Sequence, residues 1–282
     1  MSIDLVRQRL ENYQVHTFPE KEQALKEITQ EIILMSLARQ DFFTRAEFHG
    51  GTALRILYGL QRFSEDLDFA LLAPDKNFSF MPYLKNITEE LRAFGYQFEI
   101  QDRSKAENAV KKAFLKDDSL GKLLTLKKTG FPKKIKIKLE IDSNPPLGVT
   151  TEIKYLDFPM PFGIRAKTLP SSFAGKLHAL LCRRYIKGRD WYDFIWYVSR
   201  KVPINFLLLE NALKQNGPWQ NQKPNVEKAW LEKQLTTKIN ELNWSQATQD
   251  VTIFIKPQEQ ASLRIWGKAF FLAELEKLLS YL

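Results

Sequence analysis

The chain has 282 residues, of which 44% are hydrophobic and 27% charged, a composition typical of a globular protein with one large core or two smaller ones. A single cysteine and three histidines argue against a disulfide framework and against a cysteine-rich or histidine-rich metal site. No stretch reaches the roughly 18 apolar residues of a membrane span, and the amino terminus lacks a basic segment followed by an apolar run. We therefore predict a cytoplasmic protein that does not interact with membranes.

The net charge of +9 is concentrated in one segment. Between Arg103 and Lys138 there are twelve basic and three acidic residues, so the local excess equals the net charge of the whole chain. A clustered basic surface attracts polyanions such as nucleic acids through counterion release and long-range steering. The alternative is a lysine-rich surface that only keeps the protein dissolved.

The first predicted elements surround a glycine pair. Apolar residues at helical spacing predict an amphipathic helix over 20–40. A short strand over 46–49 then leads into Gly50-Gly51 and a short helix over 52–59. Alternation of polar and apolar residues over 66–71 predicts a second strand.

The later elements divide the chain into two parts. A helix over 82–95 is followed by predicted strands over 96–100, 123–129 and 135–141, and the sequence becomes helical from about residue 168. These patterns predict a mixed α/β domain at 1–165. A mainly helical domain is predicted at 166–282.

Two aspartates begin the strand over 66–71. Residues at positions i and i+2 of a strand point to the same face, so Asp66 and Asp68 can share a metal site. Mg²⁺ and Mn²⁺ prefer carboxylate oxygens, and triphosphate chemistry requires such cations. The strand "IKLEID" at 137–142 offers a third carboxylate, for which Glu140 is our first choice and Asp142, on the same face, the alternative.

The glycine pair suits a polyphosphate. Gly50-Gly51 precedes a helix, so unobstructed backbone N–H groups and the positive end of the helix dipole can receive phosphate oxygens. The order strand, Gly-Gly-Thr, helix, Asp-x-Asp, with thirteen residues between Thr52 and Asp66, resembles the signature of the DNA polymerase β-like nucleotidyltransferase superfamily. That resemblance implies an α+β fold with a mixed β-sheet and flanking helices, followed by a mainly helical domain.

Two blocks narrow the resemblance. "FHGGTALRILYGLQRFSEDLDFAL" at 48–71 resembles the AbiEii/AbiGii family of nucleotidyltransferase toxins, which includes MenT-like proteins. "AGKLHALLCRRYIKGRDWYDF" at 174–194 is similar to the downstream Lys…Arg-Asp-x-Tyr-Asp motif of that family. Together the blocks bracket about half of the chain.

The resemblance implies roles for individual residues. It assigns triphosphate binding to Gly51 and Thr52, beside Gly50, and metal binding to Asp66 and Asp68. It assigns phosphate contact to Lys176, a role in activity to Asp190, and further triphosphate contacts to Arg62 and Ser64. Structural alternatives exist, since Asp190 could simply cap a helix, with Asp193 stabilising its first turn, and Lys176 could be a solvated lysine.

The predicted reaction is attack of an acceptor hydroxyl on the α-phosphorus of a nucleoside triphosphate, with release of pyrophosphate. Resemblance to the toxin family implies RNA as the acceptor, with the 3′ end of tRNA the leading candidate, and a cognate antitoxin as a partner. Two alternatives remain open at this point. The acceptor could be a protein or small molecule, or the fold could be a degenerate module that binds a partner without catalysis.

Overall fold

We describe the protein from a computed structural model, which covers residues 2–102, 109–117, 135–222 and 224–282. The chain forms two compact units. The first comprises Met1–Gly59, Phe63–Pro145 and Glu152–Ala166, and the second comprises Leu60–Arg62, Pro146–Thr151 and Lys167–Leu282. The second unit therefore includes two short segments that precede residue 165 in the chain.

The first unit contains four helices and a seven-stranded sheet among its described residues. The helices are α1 (Ser2–Glu11), α2 (Phe18–Ala38), α3 (Gly50–Tyr58) and α4 (Met81–Ala93). The strands are β1 (Ala46–His49), β2 (Asp66–Leu71), β3 (Phe98–Asp102), β4 (Val110–Asp117), β5 (Ile135–Asp142), β6 (Thr151–Leu156) and β7 (Phe162–Lys167). Their order is β3-β4-β5-β2-β1-β7-β6, with β2 parallel to β5 and antiparallel to β1. This mixed sheet with flanking helices confirms the predicted α+β class.

Helix α2 supplies much of the core of the first unit. A capping box fixes its start: the Thr17 hydroxyl accepts from the Glu20 N–H, and the Glu20 carboxylate accepts from the Thr17 N–H at 2.8 Å. Leu25, Ile28 and Ile32 follow at helical spacing and are fully buried. They belong to the same apolar cluster as the inward residues of the sheet, so α2 is held firmly against it.

Three strands of the sheet were not predicted, namely β4, β6 and β7. In β4 the inward positions include a lysine, Lys111, and an aspartate, Asp117, both buried, so the apolar alternation that marks a strand is obscured. The predicted strand over 123–129 lies outside the described residues. Helix α3 begins at Gly50, two residues earlier than predicted, which places both glycines in its first turn.

The second unit is helical in its described residues, which confirms the predicted helical region after about residue 168. Its helices are α5 (Leu169–Cys182), α6 (Gly188–Ser199), α7 (Phe206–Gln215), α8 (Lys228–Glu241), α9 (Trp244–Thr252) and α10 (Lys268–Tyr281), with a 3₁₀ helix at Pro257–Ile265. Aromatic rings fill its interior: Trp244 stacks on Phe271 at 4.0 Å, and Trp191 meets both edge-on. None of the helices formed by the described residues has the length and apolar character of a membrane span.

Candidate active site

The two predicted metal-binding aspartates lie at the start of β2, in the middle of the sheet. Buried Leu67 separates them, so Asp66 and Asp68 project from the same face. In the parallel pairing with β5, Asp66 is in register with Lys138 and Asp68 with Glu140. Two acids of one strand and a Lys–Glu pair of the next therefore share one face of the sheet.

Gly50 lies directly beside the Asp68 carboxylate. Its φ of +81° is in the left-handed region that glycine tolerates, and a Cβ atom there would be 2.3 Å from Asp68 Oδ2. His49, the last residue of β1, pairs with Asp68 across the antiparallel ladder, and α3 begins at the next residue. The first turn of a helix and an acid of β2 therefore meet, as the sequence prediction requires. Gly51 lies in the same turn.

This contact predicts the outcome of two matched substitutions. Gly50→Ala is expected to lower nucleotide transfer by at least about tenfold, because the added methyl group must displace the Asp68 carboxylate. Gly59→Ala is the control: Gly59 also has positive φ (+73°), but a methyl group added there would meet no atom within 4 Å, so only backbone strain of about 1–2 kcal/mol results. Rates and melting temperatures of both variants check the prediction. Equal rates for the two would contradict it.

Two polar side chains fix the backbone that enters β2. Thr52 is fully buried, and its hydroxyl donates to the main-chain oxygen of Asp66 at 2.5 Å. Gln30, buried on α2, donates to the carbonyl oxygens of Ser64 and Glu65 at 3.3 and 2.9 Å. The sequence did not single out Gln30, because it lies off the apolar stripe of α2 and its burial becomes evident only in the fold. The predicted triphosphate contacts of Thr52 and Ser64 remain predictions.

Glu140 is bound by two lysines. Lys138 Nζ lies 2.7 Å from one carboxylate oxygen and Lys112 Nζ 3.0 Å from the other. Burial opposes ionisation of Glu140, but the hydrogen bonds from Lys138 and Lys112 outweigh it, and its pKa is lowered. The alternative acid, Asp142, is in register with Ala70 and accepts from the Asn144 N–H at 2.9 Å, which shapes the turn after β5.

The expected convergence of three acids on one metal is not observed. Within residues 2–102, 109–117, 135–222 and 224–282, no three His, Cys, Asp or Glu side chains are grouped so as to hold a metal ion. The Lys138 ammonium group lies beside Glu140 and 3.9 Å from Asp66 Oδ2, where it offsets carboxylate charge. Asp66 and Asp68 nevertheless fit a hard divalent cation, since both offer carboxylate oxygens on one accessible face.

The predicted residues of the second block form a cluster of buried charges in the second unit. Lys176 Nζ lies 2.6 Å from Asp190 Oδ1 and 2.8 Å from Asp193 Oδ2. The Arg62 guanidinium donates twice to the Asp193 carboxylate, with both bonds at 2.6 Å. Arg183 Nη1 lies 3.0 Å from Asp190 Oδ2. Three cations therefore surround two carboxylates.

The cluster decides between structural alternatives left open by the sequence. Lys176 is not a solvated lysine, because only 13% of its side chain is exposed. Asp190 is not the N-cap of α6, which is Lys187, but lies in the first turn. Arg62 is 3% exposed and enclosed by its pairing with Asp193. Phosphate contact by Lys176 or Arg62 and a catalytic role for Asp190 remain predictions.

The pairing of Asp190 predicts a pH dependence of stability. Burial opposes its ionisation, but attraction by Lys176, Arg183 and Lys187 outweighs it and lowers the pKa to about 2. A lowered pKa stabilises the fold above the unfolded-state value near 4, and this stabilisation is lost as the pH falls from about 4 to 2. Between pH 5 and pH 3 the wild type should therefore lose roughly 1 kcal/mol more stability than Asp190→Asn, measured by urea unfolding. Parallel losses in both proteins would contradict the assignment.

The basic segment between Arg103 and Lys138 is described only in part. Residues 103–108 and 118–134, with Lys127, Lys128, Lys133 and Lys134, lie outside the described residues. The described lysines of the segment lie on β4 and β5, and two of them, Lys112 and Lys138, bind Glu140.

Comparison with known proteins identifies a family model and solved structures that resemble this chain. A family model described as the nucleotidyl transferase AbiEii toxin of type IV toxin–antitoxin systems matches residues 32–269. No curated protein matches the sequence. Among solved structures, the chain is similar to MenT4, a nucleotidyltransferase toxin from Mycobacterium tuberculosis, with 16% identity, a TM-score of 0.54 and 99% of each chain covered. It is also similar to a candidate nucleotidyltransferase from H. pylori, with 18% identity, a TM-score of 0.50 and coverage of 90% of this chain and 92% of that one.

Proposed function

We propose, since this chain belongs to the nucleotidyl transferase AbiEii toxin family of type IV toxin–antitoxin systems, that it transfers a nucleoside monophosphate from a nucleoside triphosphate to a hydroxyl group of RNA. The chain is a nucleotidyltransferase by family. The metal requirement, the acceptor and the residue roles that follow are our proposal. One observation carries it: the Asp68 carboxylate lies against the Gly50 turn, so a cation-binding acid and a phosphate-binding helix start are adjacent.

The glycine turn binds and orients the triphosphate in this proposal. Backbone N–H groups of Gly50 and Gly51 receive phosphate oxygens, and the positive end of the α3 dipole favours their charge. Asp66 and Asp68 would hold Mg²⁺ or Mn²⁺. When bound, such a cation supplies positive charge against the phosphate oxygens and favours ionisation of the attacking hydroxyl.

The transfer forms a bond between the acceptor oxygen and the α-phosphorus and breaks the bond from the α-phosphorus to the leaving pyrophosphate. The proton of the acceptor hydroxyl passes to water. We do not assign its removal to Glu140, because a lowered pKa keeps that carboxylate ionised but makes it a weak base. In this proposal Glu140 is a positioning residue, which holds the Lys138 ammonium group beside Asp66.

Glu140 and Asp142 can be distinguished by matched substitutions on the same strand. Glu140→Gln is expected to lower the rate of transfer by at least about tenfold, because it weakens the hold on Lys138 and misplaces charge at the site. Asp142→Asn retains an oxygen for the turn after β5 and should change the rate by less than about twofold. Steady-state rates with saturating nucleotide measure both. The opposite ranking would show that Asp142, and not Glu140, is the acid of β5 that supports transfer.

RNA is the proposed acceptor, with the 3′ end of tRNA the first candidate, since modification there would block translation. The family match and the basic excess between Arg103 and Lys138 support this choice. A cognate antitoxin is proposed as partner because the family model describes toxin–antitoxin systems. A cytoplasmic location remains a prediction from the sequence.

The test is a labelling reaction with each of four α-³²P-labelled nucleoside triphosphates and total RNA, after which RNA and protein are separated. We expect label in RNA with one or a few nucleotides, and loss of label on chelation of divalent cations or in Asp66→Ala. Label in protein would replace RNA by a protein acceptor. Absence of both transfer and metal-dependent nucleotide binding would indicate a binding module without catalysis.

A further inference from the structure

A basic cavity lies within the second unit, whereas the glycine turn to which we assign the triphosphate belongs to the first. Its volume is about 260 Å³, and it is lined by the end of α5, the connection to α6, the start of α6, and α8. Its charged lining comprises four basic residues, Arg183, Arg184, Lys187 and Lys238, and two acidic residues, Asp190 and Glu241. The lining therefore has an excess of two positive charges, which favours an anionic ligand.

The hydrogen-bonding capacity of one guanidinium group at this cavity, that of Arg183, is not fully used. Lys238 Nζ donates to the main-chain oxygen of Arg183 at 3.2 Å, which ties α8 to the end of α5. Arg183 Nη1 and Asp190 Oδ2 are 3.0 Å apart, yet among the described residues neither atom has a partner in hydrogen-bond geometry. Phosphate oxygens are acceptors that suit a guanidinium group of this kind.

The largely buried ammonium group of Lys187 lies among other charged groups of the cavity. Burial lowers the pKa of its ammonium group to about 8, and repulsion by Arg183 and Lys176 adds to this effect, although Asp190 opposes it. A phosphate bound in the cavity would favour the charged form of Lys187.

An exposed aromatic ring adjoins these cations. Tyr185 lines the same cavity, is 65% exposed, and has the Arg183 guanidinium 5.5 Å from the centroid of its ring. Exposed aromatic rings beside cationic grooves bind single-stranded nucleic acids, because bases stack on the ring while the backbone follows the positive charge. Because the Tyr185 ring is largely exposed, it can stack on a base that extends beyond the cavity, so this arrangement favours a continuing strand over a free nucleotide.

We propose that this cavity binds a phosphate of the single-stranded end of the acceptor RNA, and that Tyr185 stacks on an adjacent base. The inference rests on the proposed function, since it gives the RNA acceptor a site. It assigns to Arg184 and Lys187 a role in holding the acceptor strand.

The test measures binding alone, by fluorescence anisotropy of a fluorescein-labelled single-stranded RNA of about twelve nucleotides, without nucleotide and with EDTA. Arg184→Ala/Lys187→Ala is expected to weaken binding at least about tenfold and to reduce the salt dependence of the affinity. The control, Lys228→Ala/Lys233→Ala, removes the same charge from exposed positions of α8 that do not line the cavity, and should change affinity by less than about twofold.

Substitutions of Tyr185 test the proposed base stacking independently of the cavity cations. Tyr185→Ala is expected to weaken RNA binding at least about fivefold, whereas Tyr185→Phe, which keeps the ring, should bind like the wild type. Melting temperatures of all variants establish that they are folded. If the cavity and tyrosine variants bind RNA like the wild type, the proposal is overturned.

Two further outcomes separate this proposal from the proposed function. If Arg184→Ala/Lys187→Ala leaves RNA affinity intact but weakens binding of a fluorescent nucleoside triphosphate with Mg²⁺, the cavity takes the nucleotide and the proposal is overturned. If the wild type transfers nucleotide to RNA but the substitutions do not change RNA affinity, only the proposal about the cavity is overturned. RNA binding that depends on the cavity, in a protein that transfers no nucleotide, would support the cavity and overturn the proposed function.

Discussion

Asp68→Asn is expected to lower the rate of nucleotide transfer by at least about a hundredfold. The substitution keeps the shape of the side chain beside Gly50 but replaces one carboxylate oxygen by an amide NH₂ group, which cannot bind a cation and donates where a ligand should accept. Because a misplaced cation leaves the triphosphate wrongly oriented, the loss should appear mainly in kcat. Rates with saturating nucleotide and acceptor measure the effect.

Asp75→Asn is the matched control in the same unit. Asp75 lies after β2, where its carboxylate binds Arg45 at 3.0 Å and accepts from the Asn77 N–H, so the same change of charge and atoms occurs away from the glycine turn. Its rate should stay within about twofold of the wild type, because such exposed pairs contribute little. Retained activity in Asp68→Asn, with an unchanged melting temperature, would remove Asp68 from the catalytic machinery.

Asp193→Ala is expected to destabilise the second unit by about 3–5 kcal/mol. The Asp193 carboxylate is fully buried and bound by the Arg62 guanidinium and the Lys176 ammonium group. Its removal would leave a guanidinium with 3% exposure deprived of its carboxylate in the interior, while Lys176 would retain Asp190. Burying a charge that has lost its paired carboxylate is costly, which is why the loss should far exceed that of a surface ion pair.

Urea unfolding followed by tryptophan fluorescence measures this effect, since Trp191 and Trp244 lie in the aromatic interior of the same unit. Glu210→Ala provides the comparison: Glu210 pairs with Lys214 one helical turn away on α7, both partly exposed, and its loss should cost less than about 1 kcal/mol. Similar unfolding midpoints for the two variants would mean that the buried cluster contributes no more than a surface pair.

Local patterns predicted the centre of the candidate site. Asp66 and Asp68 alternate with apolar residues, so the common face of their side chains follows from the period of a strand. The glycine pair likewise marked the start of α3 at Gly50, and phosphate binding there remains a prediction. The position of Lys138 beside Glu140 and Asp66 depends instead on the register of β5 against β2, which no local pattern specifies.

The features that the sequence did not predict depend on contacts between residues far apart in the chain. The second block predicted Lys176 and Asp190 as important positions, but their pairing with each other, and the enclosure of Arg62 by Asp193, join residues up to 131 positions apart. Lys111 and Asp117 concealed β4 because they occupy positions where the alternation calls for apolar residues. Sequence periodicity reports local geometry, whereas these features arise from packing.

The Arg62–Asp193 bond has a consequence for how the polypeptide is made. Arg62 lies between the glycine turn and the paired aspartates in the chain, yet belongs to the second unit. During synthesis it leaves the ribosome 131 residues before its carboxylate does, at about 5–20 residues per second, so for several seconds the nascent enzyme carries a strong cation without its native counter-charge. A fragment cut near residue 165 would keep that cation permanently exposed, and we expect it to unfold more readily than the complete chain and to bind polyanions non-specifically.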